Sequence, residues 1–162
     1  MVELWDFAPV TTVQASGAYS LDPYESAGSN PKALKILKST DATTGQQTWY
    51  YVESRRALDF DNFLSTNSNV LNRVVVHLGS PADGNSNDLP DVTPSTSSWS
   101  DPALDVGQTF NDADAGVTIT PMSVGSTGAM VSVSFGPLAC VPATPLWPSR
   151  RRPLNGSNLA PP

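Results

Sequence analysis

Short runs dense in β-branched and aromatic residues recur along this chain, and clusters of Gly, Pro, Asn and Asp cut each of them off. Thr48 to Glu53 is one such run, and Asn69 to Leu78 is another, with Val74, Val75 and Val76 almost continuously apolar. Ala129 to Phe135 alternates cleanly: Met130, Ser132 and Ser134 point one way, and Val131, Val133 and Phe135 the other. In the segment from Lys32 to Lys38 a helical turn competes with a strand. Turns on both sides and a length that makes a poor isolated helix favour the strand. Tyr19 and Leu21, Thr109-Phe110 and Gly116 to Thr120 add further short strands, and Asp41 to Gln46 reads as a hairpin connection. From Pro81 to Asp101 the chain is polar and turn-rich. About seven or eight short strands so spaced predict an all-β fold, an antiparallel β-sandwich.

With 162 residues, 39% apolar and 15% charged, one domain is the expectation, placed at residues 1–136. Every acidic residue lies at or before Asp114, and three of the nine basic residues are Arg150, Arg151 and Arg152. Setting those three aside takes the net charge from −6 to −9, and a body so acidic repels nucleic-acid phosphate and anionic lipid. No apolar run approaches the roughly 20 residues a membrane-spanning helix needs. The first residues lack the basic start and apolar centre of a signal peptide, so an export signal would belong to a longer parent chain. Residues 137–162 hold seven prolines, no acidic residue and no apolar periodicity, which predicts a disordered tail. Cys140 is the only cysteine, either a structural thiol or half of a bridge to sequence outside this chain.

His77 is the only histidine, so the His-Glu-x-x-His helix of a zinc protease, which needs two imidazoles one turn apart, is absent. Placed in a strand between Val76 and Leu78, His77 is expected to hydrogen-bond a neighbour on the sheet face. Glu53 and Arg55, two apart, share a sheet face and can pair; with Arg56 they are either a structural ion pair at a strand end or an interface with a partner. Asp112 and Asp114 offer two of the six to eight oxygens that calcium takes, and Asp59 and Asp61 repeat the spacing; such residues also build turns unaided. Trp49 and Trp99 would serve a carbohydrate-binding sandwich if exposed, although the strand position of Trp49 favours core packing. No Gly-x-Ser-x-Gly elbow occurs, and Gly125-Ser-Thr-Gly128 reads as a hairpin turn. No Gly-rich phosphate cradle follows any strand.

Several segments taken in order carry a resemblance. They are Gly17-x-Tyr19-x-Leu21, Ala33-Leu-Lys-Ile36, Tyr50-Tyr-Val-Glu-Ser-Arg55, Phe60-Asp61, Val74-Val-Val-His-Leu78, Asp91-Val-Thr-Pro94, Phe110-Asn-Asp112 and Gly116-Val-Thr-Ile119. This order, spanning roughly Ser16 to Phe135, is similar to the β-rich region that follows the catalytic domain of gametolysin-like (M11) secreted metallopeptidases and their bacterial relatives. The sequence departs from that pattern at Ser54, Asp59 and Pro90, and it lacks the zinc-binding helix altogether. The resemblance implies a non-catalytic, extracellular accessory module without a cofactor of its own. Its partners would be the missing catalytic domain or an extracellular protein, with Glu53, Arg55 and Arg56 marking the contact; the alternative is a free-standing carbohydrate-binding module whose partner is a polysaccharide.

Overall fold

The computed structural model describes residues 9–93, 96 and 101–136. Among these residues ten strands form two sheets. The first sheet runs β1 (Val10–Val13), β3 (Ala33–Thr40), β4 (Gln47–Ser54), β5 (Val74–Ser80) and β6 (Asp83–Asp88), with β7 (Ala103–Leu104) also on β5. The second runs β2 (Gly17–Leu21), β10 (Gly128–Phe135), β9 (Val117–Gly125) and β8 (Phe110–Asp112).

Alternation decides which side chains meet between the sheets. Leu34 and Ile36 of β3, Tyr50 and Val52 of β4, and Val74 and Val76 of β5 face Val117 and Ile119 of β9 and Val131 and Val133 of β10 in one core. Each fully buried Val, Leu or Ile contributes about 1.5–3 kcal/mol, so this stripe is what joins the sheets. The all-β expectation is met, with ten strands where about seven or eight were expected.

The β9–β10 hairpin turns on Ser126 and Thr127, between the paired Gly125 and Gly128. Gly128 has φ of 135°, and a Cβ there would lie 2.0 Å from the Leu21 carbonyl oxygen on neighbouring β2. Only glycine lets the hairpin and β2 approach so closely.

Three expectations change. β1 pairs with β3 in parallel, so the first sheet is not purely antiparallel. The expected strand from Asn69 begins only at Val74; before it come a 3-10 helix, Asp59–Thr66, and a single helical turn, α1 (Ser68–Leu71), capped by Asn67 through Val70 N–H. β6 lies inside the stretch expected to be turns, where backbone pairing with β5 holds a wholly polar edge strand. Phe135 keeps the face of Val131 and Val133, as its alternation predicts, and is exposed because it ends β10. The tail at 137–162, Cys140 and Trp99 lie outside the described residues.

Candidate functional site

On the outer face of the first sheet, β4 presents Trp49, Tyr51 and Glu53, the positions that alternate with core-facing Tyr50 and Val52. Glu53 is only 2% exposed. One β4 neighbour along the sheet is β5, and His77 on it donates from Nε2 to Glu53 Oε1 at 2.9 Å. Arg55, just past the end of β4, turns back to give its NH1 to the same oxygen at 3.2 Å. Burial alone would raise the Glu53 carboxyl, but the hydrogen bond and charge of His77, together with Arg55, carry it below the ordinary carboxylate range.

Arg55 divides its guanidinium among three carboxylates. Nε donates to Glu25 at 2.6 Å, NH1 to Glu53 and NH2 to Asp61 at 2.9 Å, while the Tyr24 ring lies 5.0 Å from its Cζ. Burial works against the charge, yet Glu53 and Glu25 raise the Arg55 pKa further above its ordinary value. Glu25 accepts from the Arg56 backbone N–H with its other oxygen at 2.8 Å, and Tyr24 N–H binds the Ser54 carbonyl at 2.9 Å. One arginine thereby ties together the 22–31 loop, the end of β4 and the 3-10 helix.

The structure joins Glu53 and Arg55, the pair that their spacing allowed, and shows that the neighbour expected for His77 is Glu53. It adds Glu25 and Asp61, which sequence spacing did not single out as partners; Glu25 lies 30 residues from Arg55 and no local pattern links them. As an external interface Glu53 is unsuitable, because it is buried and bonded internally. Arg56 differs: it is half-buried, and its guanidinium meets no partner among the described residues.

Asp112 stands between the sheets. Its Oδ2 accepts from Lys38 Nζ at 2.7 Å and Tyr50 OH at 2.6 Å, and its Oδ1 accepts the Asp114 and Ala115 N–H groups, both at 3.0 Å. Burial alone would raise this carboxyl; Lys38, Tyr50 and the Ala115 N–H bring it down to about 2. The Tyr50 hydroxyl goes the other way, to about 12, through burial and its bond to Asp112. With an ammonium on one oxygen and two N–H groups on the other, Asp112 has no room for calcium, and Asp114 enters only through its backbone N–H. This pair does not fit the calcium site that Asp-x-Asp spacing suggested. Among the described residues no group of three or more His, Cys, Asp or Glu side chains converges as metal ligands would.

Trp49 lies on the outer face, not in the core where it was expected; Lys35 Nζ sits 4.3 Å from its ring centroid, and its Nε1 is buried with no hydrogen-bond partner among the described residues. A ring face under an ammonium is a poor stacking platform for a sugar. Among the described residues no helix is long and apolar enough to cross a membrane.

No family model, curated protein or solved structure matches the chain.

Proposed function

We propose that this chain is a non-catalytic β-sandwich accessory module of an exported zinc metallopeptidase, acting outside the cell by packing on the protease domain or contacting substrate protein. One observation carries the reading. The residues best suited to chemistry, Glu53, His77 and Arg55, bond to one another and to Glu25 and Asp61. General acid–base catalysis needs a proton-transfer group within hydrogen-bond reach of a substrate, and a carboxylate 2% exposed and bonded to both Arg55 and His77 is badly placed for it. The same bonds hold a rigid platform, which is what a docking module needs. The ordered segments from Gly17 to Ile119 supply the metallopeptidase part of the proposal, by their resemblance to gametolysin-like accessory regions.

The test has two arms. The purified chain, incubated with zinc and fluorescent casein, is expected to release no peptide above a metal-free blank. Coding DNA upstream is expected to specify a His-Glu-x-x-His helix, and co-expression of that region is expected to yield a complex with this chain. Metal-dependent cleavage by the chain alone, or an upstream region with no protease sequence, overturns the proposal.

A further inference from the structure

We propose that the 22–31 loop is a monovalent-cation site whose resident ion is the tethered ammonium of Lys32. The site belongs to the fold itself, so its failure would leave the metallopeptidase reading untouched, and the reverse holds too.

Lys32 stands where the loop rejoins β3 and is only 6% exposed. A buried ammonium has to exchange its water for other acceptors. Its Nζ donates to the Pro23 carbonyl at 3.1 Å, to the Ser26 carbonyl, and to Ser26 Oγ at 3.5 Å, and Asp22 Oδ2 lies 3.9 Å away. All of these neighbours are oxygens of Asp22, Pro23 and Ser26. Asp22 does not pair closely with Lys32, because the Asn30 backbone N–H and side-chain amide each hold one of its oxygens at 2.9 Å. The carboxylate supplies charge from a short distance, and main-chain carbonyls make the close contacts. Carbonyls backed by a carboxylate are the donor set of an ion-binding loop, and here a lysine side chain fills the ion's place.

The cradle keeps its shape through bonds that do not involve the ammonium. Asp22 N–H donates to the Pro31 carbonyl at 3.0 Å and closes the neck of the loop, and Tyr24 N–H fastens it to the Ser54 carbonyl at 2.9 Å. Ser26 returns to the Pro23 carbonyl through its N–H at 3.1 Å and its hydroxyl at 3.0 Å. Gly28 lies so close over Asp22 that a Cβ there would stand 1.9 Å from Oδ2. Glu25 turns away from the cradle and gives its carboxylate to Arg55 and to the Arg56 N–H. Shortening the Lys32 side chain therefore leaves the oxygens around Nζ in place.

Charge and size set the class of ion. One carboxylate among neutral oxygens balances a single positive charge. Calcium takes six to eight oxygens at about 2.3–2.6 Å. Four oxygens, one of them 3.9 Å from the ion's centre, suit a larger ion of single charge such as ammonium or potassium. By carrying the ion on its own chain, the protein makes this loop independent of dissolved cations. Through Glu25, the Arg55 cluster gains the same independence.

Lys32→Ala in the full chain opens the site. At constant ionic strength the parent is expected to melt at one temperature in ammonium, potassium, calcium and tetramethylammonium chlorides. Lys32→Ala is expected to melt lower, to regain about 4 °C in about 200 mM ammonium or potassium chloride, and to regain nothing in the other two. The Arg55 Nε–H resonance, which reports the bond to Glu25, is expected to move in the variant and to return with ammonium. Lys32→Met keeps the stem, loses the charge and leaves the carbonyls unpaired, so it is expected to melt lower and to respond to none of the salts. Equal recovery in tetramethylammonium, recovery in calcium alone, or a Lys32→Met variant as stable as the parent overturns the site.

The parent also gives a test that needs no variant to fold. An ammonium held by fixed acceptors releases its protons slowly. In heteronuclear spectra of the isotope-labelled full chain at neutral pH, Lys32 Nζ protons are expected to exchange at least about tenfold more slowly than those of free lysine, with correlations to Ser26. Exchange as fast as in free lysine overturns the proposal.

Discussion

Glu53 and Asp112 are both carboxylates held by cations and hydrogen bonds, yet they join different things. Asp112 links sheet to sheet: β8 carries it, and β3 and β4 supply Lys38 and Tyr50. Glu53 lies outside the core, where the cluster it shares with Arg55 and His77 fastens connecting segments to the sheet surface. Asp112 also closes its own turn through two N–H groups, whereas Glu53 depends on side chains of two other positions. The difference shows two uses of buried charge in one fold. One supplements an apolar core that already joins the sheets; the other replaces a core where loops cross a sheet with little apolar surface to bury.

The largest expected loss is at Arg55. Arg55→Met leaves Glu25, Glu53 and Asp61 without their shared cation, and a cost of about 3–5 kcal/mol in urea unfolding is expected from a broken buried ion pair. Asp112→Ala should cost less, about 2–3 kcal/mol, since hydrogen bonds to a charged group are lost while the apolar inter-sheet contacts remain. Tyr50→Phe removes one of those bonds and keeps the ring packed on Phe110, centroids 5.3 Å apart, for about 1 kcal/mol by the same measurement.

Acid sharpens the contrast further. The Asp112 carboxyl is depressed from 3.8 to about 2, so its contribution is complete above the unfolded value and disappears as pH falls from about 4 toward 2. Glu53, also depressed, adds loss in the same direction below its ordinary 4.5. Melting temperature should therefore fall through this window, and Asp112→Asn should flatten the lower part of the profile. Phe63→Ser gives the smallest effect, within about 0.5 kcal/mol of the parent, because a side chain 72% exposed contributes little to folding.

Much of the fold was legible because the inward residues alternate with turns between them. Leu34 with Ile36, Tyr50 with Val52 and Val131 with Val133 mark their strands without any tertiary information. β6 was not legible: Asp83-Gly-Asn-Ser-Asn-Asp88 has no apolar alternation, and its strand geometry comes from the β5 backbone alone. The 3-10 helix was missed because Asp59 to Thr66 satisfies neither a strand nor a long helical repeat, and Arg55 fixes it through Asp61. At the candidate site, the Glu53–Arg55 pair follows from spacing of two on a strand end. The other members, Glu25 and Asp112 above all, act across distances of 30 and 62 to 74 residues, which local periodicity does not encode. Calcium was suggested by Asp112 and Asp114 for the same reason: spacing describes where oxygens sit in sequence and says nothing of an ammonium arriving from β3.

We propose that Glu53 holds the fold together and carries no reaction step. Equilibrium urea unfolding of Glu53→Gln at neutral pH tests this most directly, since residues kept for activity commonly cost stability and their replacement restores it. A lower midpoint with an unchanged slope is the expected result. A variant as stable as the parent, or more so, contradicts it.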